Sequence, residues 1–309
     1  VGETMEICVV LVTFNRLNCL KKALDEFEKQ TYLPKRLIVV NNSSTDGTAE
    51  YLSEWKKTES NFEKIVITTE RNLGGAGGFA LGLKEASKYS DTDWIWLSDD
   101  DAFVKPNTLA TINNVYQDDL KSENIAALFT SVINNGEYDL SHRRIVKKDV
   151  LGIKMLPVAK EIYKNKYFEL AQGSYVGMLI KNDLVKKFGV TKEEYFIYYD
   201  DTEHCERLRR YGKLICVPSA EIVHDIEVNT QYSWKSYYGA RNSTILIKEY
   251  YGVYPALLNV LKRYIKEVSF LSKNNSKSVK KMIKTGLKDG LLGKTGLHNL
   301  YKPGWKIEN

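Results

Sequence analysis

Apolar residues along this chain fall into short unbroken runs that alternate with stretches of helical period. Residues 6–13 (Glu-Ile-Cys-Val-Val-Leu-Val-Thr) read as a buried strand. Leu17, Leu20, Ala23, Leu24 and Phe27 then recur at helical spacing and predict a helix over 17–30. A second strand runs from Arg36 to Val40, and the polar stretch Asn41 to Thr48 leads into a helix over 48–57. A third strand, 64–68, reaches the loop Asn72-Leu73-Gly74-Gly75-Ala76-Gly77-Gly78, followed by a helix near 79–89. The fourth, 93–98, ends in Asp99-Asp100-Asp101. Strands alternating with helices of this length predict an α/β protein with a mostly parallel central sheet flanked by helices.

Beyond this half the pattern weakens and then sharpens. Residues 133–170 are irregular and read as a variable insertion over the sheet, without assigned chemistry, and His142 reads as a surface residue. Gly173 to Ile180 is again strand-like, and Phe196-Ile197-Tyr198-Tyr199-Asp200-Asp201-Thr202-Glu203 opens a helix that carries His204 and Glu206 as structural residues. A strand at 213–217 precedes Ile222-Val223-His224, and after about residue 230 the chain reads as helical to its end. Two units are expected, a sheet domain over 1–228 and a basic helical region over 229–309.

In a parallel sheet, ligands bind beyond the carboxyl ends of the strands. Here those ends carry Thr13-Phe14-Asn15-Arg16, Asn41 to Asp46, the glycine run and the three aspartates. Stacked carboxylates repel one another unless a cation lies between them, and hard ions such as Mg²⁺ or Mn²⁺ take carboxylates together with substrate phosphates. The bland alternative is an acidic turn before the helix near Pro106-Asn107. The glycine run lacks the Gly-Lys-Ser/Thr of a phosphate-binding P-loop. Gly75 to Ala80 formally matches a dinucleotide fingerprint, but after the third strand rather than the first, which leaves a nicotinamide-dependent oxidoreductase as an alternative. A close approach of a nucleotide-sugar to bare backbone is the other reading. Asp200, Asp201 and Glu203 serve either as a helix start or as a general base for an incoming hydroxyl. A lone His224 is more often structural, although imidazole also completes carboxylate–histidine shells.

Composition narrows the partners. The net charge of +6 is concentrated at the end, where Lys262 to Asn309 holds twelve Lys and Arg against three Asp and Glu. The four cysteines show no metal-ligand spacing, which fits a reducing cytoplasmic location and not a zinc site. No run is long enough to span a bilayer. Lys277, Lys280, Lys281, Lys284 and Lys288 interleave with Val279, Met282, Ile283 and Leu287, as in a helix lying on an anionic membrane surface. The stripe Leu257, Leu258, Leu261, Ile265, Val268 and Leu271 reads as a helix packed on the catalytic domain, and a homodimer contact is a further possibility. The acidic remainder and the absence of a recognition motif argue against nucleic acid.

Taken in order, Thr13 to Arg16, Asn41 to Thr48, Asn72 to Gly78, Asp99 to Asp101, Asp200 to Glu203 and His224 resemble glycosyltransferase family 2 over about residues 5–250. The glycine run, the aspartate triplet and Asp-Asp-x-Glu look most like its galactofuranosyl- and rhamnosyltransferase branch. The resemblance implies a GT-A fold and an inverting, metal-dependent transfer from a nucleoside diphosphate sugar, with UDP-galactofuranose first and dTDP-rhamnose second. It implies that Thr13, Asn15, Arg16, Asn41, Asp46, Asn72, Gly74, Gly75, Gly77, Asp99 and Asp100 contact the donor. Asp99, Asp101 and His224 would hold Mn²⁺ or Mg²⁺, Asp201 would be the base, and Glu203 its supporter or an acceptor contact. Gly173 to Gly177 and Trp234 would line the acceptor side, the acceptor being a lipid-linked, cell-surface glycan at the inner face of the cell membrane.

Overall fold

Strands without polar alternation must be covered on both faces, and that requirement organises the molecule. The computed structural model describes residues 4–150, 152–224, 231–272 and 275–307. β1 (Ile7–Thr13), β2 (Arg36–Asn41), β3 (Glu63–Thr68) and β4 (Trp94–Asp99) are parallel, in the spatial order β4-β1-β2-β3. Every residue of β1 and β2 is buried. The crossover helices are α1 (Leu17–Glu28), α2 (Thr48–Trp55) and α3 (Gly74–Ala86). Alternate residues of β1 enter opposite core layers. Ile7, Val9 and Leu11 pack with α1, α2 and α4 (Thr108–Val115), and Cys8, Val10 and Val12 pack with Phe79 and Leu83 of α3.

The sheet then changes direction. Past the short β5 (Phe103–Val104) come β6 (Ile125–Asn134) and β7 (Glu137–Tyr138). The hairpin β8 (Arg143–Asp149) and β9 (Gly152–Pro157) joins β11 (Gln172–Gly173) in a small second sheet. β10 (Phe168–Glu169) and β13 (Lys213–Val223) complete the far edge, with β13 parallel to β6. β12 (Met178–Lys181) inserts antiparallel between β4 and β6. Helices α5 (Asn182–Phe188) and α6 (Asp200–Leu208) cover the α3 face through Val185, Cys205 and Leu208. The stretch expected as an irregular insertion is therefore an ordered hairpin. Its second face is built from Ile145 and its neighbours, whose alternation is obscured by flanking lysines.

The glycine run also differs from expectation. It is the first turn and a half of α3, not a loop. A Cβ on Gly78 would come within 2.5 Å of Val12, and one on Gly77 within 2.6 Å of the Leu73 Cβ. Gly78, together with Gly82, where a Cβ would collide with Val10, thus allows the helix to lie close on the sheet, as a third fingerprint glycine would.

The C-terminal region consists of α7 (Lys235–Tyr251), α8 (Val253–Arg263), a π-helical turn at Tyr264–Val268, and α9 (Lys277–Leu291). Residues 292–307 are not helical, contrary to the expectation of helix to the end. The unit boundary expected at 228–229 lies outside the described residues. α9 is also not the membrane-facing helix that its lysines suggest. Val279, Met282, Ile283 and Leu287 are buried with Tyr237, Tyr238 and Ala240 of α7. Gly286 lets the two helices touch, since a Cβ there would lie 2.6 Å from the Tyr237 carbonyl. Gly286→Leu should therefore cost about 1–3 kcal/mol through overpacking, read as an earlier midpoint of urea unfolding. An unchanged midpoint would mean that α9 is not held against α7.

Candidate active site

Beyond the carboxyl ends of β1, β2 and β4 lies a cavity of about 1260 Å³. Thr13, Arg16, Asn42, Asn72, Gly74, Gly75, Asp99 and Asp101 line one end of it. Asp200, Asp201, His142, Arg144, Ser174, His224, Trp234 and Lys235 surround its middle, and Ile153, Asn259, Lys262 and Lys266 its far end.

Electrostatics at the aspartates is dominated by too many carboxylates in too little water. Asp100 is buried and turned inward, accepting a hydrogen bond of 2.6 Å from Thr13 Oγ1 and lying 3.1 Å from Arg16 Nη1. Burial pushes its carboxyl up to about 7 despite the Arg16 charge. Asp99, facing the cavity, is raised by burial and by the Asp101 charge, with Arg16 and His224 acting against the rise. Burial also works against charge on Asp101, but the hydrogen bond from His224 and the Arg16 guanidinium outweigh it and hold this carboxyl below the usual range. Arg16 donates directly to Asp101, whose other oxygen lies 3.4 Å from His224 Nε2. Lys235 is the remaining cation here. Its pKa is lowered by burial and by Arg16, and raised by Asp99 and Asp101, so it stands among these groups.

The second acidic pair is presented by a strained approach. Phe196, Tyr198 and Tyr199 all have left-handed φ, at 67°, 65° and 66°, an unfavourable choice for aromatic side chains. α7 enforces it. The buried Asn242 amide donates to the carbonyls of Tyr195, Ile197 and Tyr198 at 3.0, 2.9 and 2.8 Å, and Arg241 Nη2 donates to Tyr195 O at 3.0 Å. The Phe196 carbonyl in turn accepts from Ala76 N at 3.1 Å, which joins α3 to this segment. Asp200 and Asp201 follow at the start of α6, both facing the cavity. Asp200 is pushed well above the usual carboxylate range by burial and by the charge of Asp201. Burial thus favours the neutral form of Asp200 beside a second carboxylate, an arrangement of the kind found in acid/base sites.

Several expected site residues take other places. Glu203 is fully buried and absent from the cavity, paired with Arg207 (3.2 Å) and Lys192 (3.3 Å) and accepting from Tyr250 (2.5 Å). Its position one turn into α6 points it away from Asp201, so it is corrected from acceptor contact to scaffold. Asp46 caps two helices, accepting from Leu17 N (2.9 Å) and Thr48 Oγ1 (2.6 Å). Asn15 ties two loops by accepting from Thr45 N (2.7 Å), and Asn41 holds its own turn by accepting from Ser44 N (3.1 Å). Asn15, Asn41, Asp46, Gly77 and Asp100 do not line the cavity, whereas Thr13, Arg16, Asn72, Gly74, Gly75, Asp99, Asp101, Asp201 and His224 do.

Other residues were missed in the sequence. Asn42, the neighbour of Asn41, fastens the glycine turn by accepting from Leu73 N (2.8 Å) and donating to Gly74 O (2.9 Å). His142 is not a surface residue. It hydrogen-bonds Ser174 Oγ (2.6 Å) and its ring lies 5.4 Å from that of His224. Arg143 is fully buried in a carbonyl cage, donating to Thr130 O (2.8 Å) and Val176 O (2.6 Å). Arg144 donates to Thr202 Oγ1 (3.1 Å) beside the second acidic pair. The sequence signal was a basic cluster opening a hairpin, and only the fold aims it inward.

Among the described residues no three His, Cys, Asp or Glu side chains form a ready-made ion cage. Asp99 and Asp101 are nevertheless a fitting pair for a hard divalent ion that takes phosphate oxygens as its other ligands. Among the described residues the buried Nδ1 of His224 has no hydrogen-bond partner, while its Nε2 is engaged with Asp101.

Comparison with known proteins agrees with this geometry. Residues 8–189 match the model of glycosyl transferase family 2. The galactofuranosyltransferase GlfT1 of Mycobacterium tuberculosis is 39% identical over 110 residues, 35% of either chain. The matched stretch thus spans about a third of that relative's length. The dTDP-rhamnosyl transferase RfbF of Shigella flexneri is 23% identical over 94% of this chain and 97% of its own. Among solved structures, GalNAc-T7 with UDP, GalNAc and Mn²⁺ superimposes with a TM-score of 0.66 at 15% identity, covering 92% of this chain and 54% of that one. Staphylococcus aureus TarS 1–349 with UDP-GlcNAc gives 0.59 at 15% identity, covering 94% and 82%. With more than half of the chain matched and the sheet arranged as described, this protein belongs to glycosyl transferase family 2 and has the GT-A fold.

Proposed function

We propose that the protein transfers a sugar, with inversion, from a nucleoside diphosphate donor to a hydroxyl of a growing lipid-linked glycan of the cell surface, at the inner face of the cell membrane. The observation that carries this reading is the pair of acidic groups, Asp99–Asp101 and Asp200–Asp201, facing one another across a single cavity. UDP-galactofuranose is the favoured donor, supported by the 39% identity to GlfT1. The near full-length similarity to RfbF favours dTDP-rhamnose as the second reading.

In this reading Asp99 and Asp101 would hold Mn²⁺ or Mg²⁺, which when bound would supply charge neutralisation for a diphosphate. The protein's own groups do the rest. Arg16 and Lys235 bring two cations to the donor end, where negative charge grows as the sugar–phosphate bond breaks. The acceptor oxygen forms the new bond to the anomeric carbon, its proton passes to the Asp201 carboxylate, and the diphosphate leaves with the bonding electrons. Asn242 and Arg241 are positioning residues that hold the turn before Asp201.

Asp201→Asn should lower kcat on the order of 10²–10⁴-fold while metal-dependent donor binding stays nearly intact. Loss of binding together with turnover would instead make Asp201 a structural residue of α6. Lys235→Met should weaken nucleoside diphosphate binding, with Lys235→Arg restoring most of it. Equal affinity in the Met variant would remove Lys235 from the donor end.

A further inference from the structure

Most apolar side chains of the C-terminal helices are covered, but those of α8 are not. Its inner side holds the buried Pro255 and Ala256. Arg263 reaches α7 at the Gly239 carbonyl (3.1 Å) and Ser243 Oγ (3.2 Å) and pairs with Glu267 (2.7 Å). On the outer side Tyr254 (64% exposed), Leu257 (50%) and Leu261 (54%) are followed by Ile265, at steps of three or four residues, so they form one stripe. Phe270 (84% exposed) and Leu271 extend it beyond the helix. A contiguous row of this kind marks a contact surface.

The charge around the stripe is predominantly positive. From Tyr250 to Lys288 the sequence holds nine Lys and Arg and a single acid, Glu267, which Arg263 already pairs. A second copy would bring the same cations against these, whereas an anionic surface would complement them. The same segment also reaches the cavity, since Asn259 and Lys262 of α8 and Lys266 of the turn after it line its far end. We infer that the α8 stripe from Tyr254 to Leu271 docks on an anionic lipid bilayer and holds the far mouth of the cavity at the headgroups. α8, and not the lysine-flanked α9, is then the interfacial element. Its apolar residues enter the boundary between headgroups and acyl chains while lysines contact the anionic lipid. The purpose of such docking, delivery of a lipid-linked acceptor, rests on the transferase reading above; the docking itself does not.

The test is cosedimentation of the whole chain with vesicles of phosphatidylcholine alone and of phosphatidylcholine with phosphatidylglycerol. The protein should pellet with the phosphatidylglycerol vesicles and be released by added salt, as screening predicts. The double substitution Leu257→Asp and Leu261→Asp should abolish pelleting, with circular dichroism and nucleoside diphosphate binding unchanged. Phe270→Asp, outside the helix, should reduce pelleting in the same direction. Wild-type protein that stays in the supernatant, or a double variant that pellets normally, would overturn the inference. So would a wild-type dimer that the double variant converts to a monomer, since the stripe would then be covered by a second copy. Pelleting without any nucleoside diphosphate binding would uphold docking and count against the transferase reading alone.

Discussion

Five carboxylates, Asp99, Asp100, Asp101, Asp200 and Asp201, are gathered at one edge of the sheet with few cations to balance them. The rest of the site is arranged around that repulsion. Asp100 is removed from the cavity and satisfied by Thr13 and Arg16. Asp101 is stabilised by Arg16 and His224, and Asp200 is raised by burial and by the charge of Asp201. What remains facing the cavity is a residual negative field, which a divalent cation would neutralise while taking diphosphate oxygens as further ligands.

Holding those groups in place requires strain elsewhere. Three aromatic residues before Asp200 adopt left-handed backbone, and Asn242 fixes them by donating to the carbonyl groups of Tyr195, Ile197 and Tyr198. α7 can do so because α9 supports it from behind through Gly286 and Gly290. The C-terminal helices are therefore part of the catalytic apparatus. They shape the approach to Asp201 on one side and, through α8, close the far end of the cavity on the other.

The parallel half of the fold was legible because unbroken apolar runs and helical spacing leave little choice over residues 6–98. The strand-end aspartates and Asp201 stood out because stacked carboxylates repel, but an acidic helix start was an equal alternative until the fold placed Asp99, Asp101 and Asp201 on one cavity. What escaped was side-chain direction. Glu203 and Asp201 are two residues apart on one helix and face opposite environments, and Asn41 and Asn42 exchange the expected roles by alternation along β2 and its turn. The segments 253–271 and 277–291 have similar apolar and basic patterns, so composition alone cannot say which one buries its apolar stripe on α7. Small residues decide it: Gly286 and Gly290 permit close contact, and α8 has no equivalent. His142 and Arg144 were hidden because their hairpin becomes part of the site only after folding over the sheet.

The central claim is that this cavity takes a nucleoside diphosphate through a cation held at Asp99 and Asp101. Calorimetric titration of the intact chain with UDP, dTDP, GDP and NAD, each with and without Mn²⁺, tests it most directly. The account predicts that one nucleoside diphosphate binds, that binding requires the ion, and that NAD does not bind. Binding of NAD alone, or no nucleoside diphosphate binding with Mn²⁺ present, would contradict it.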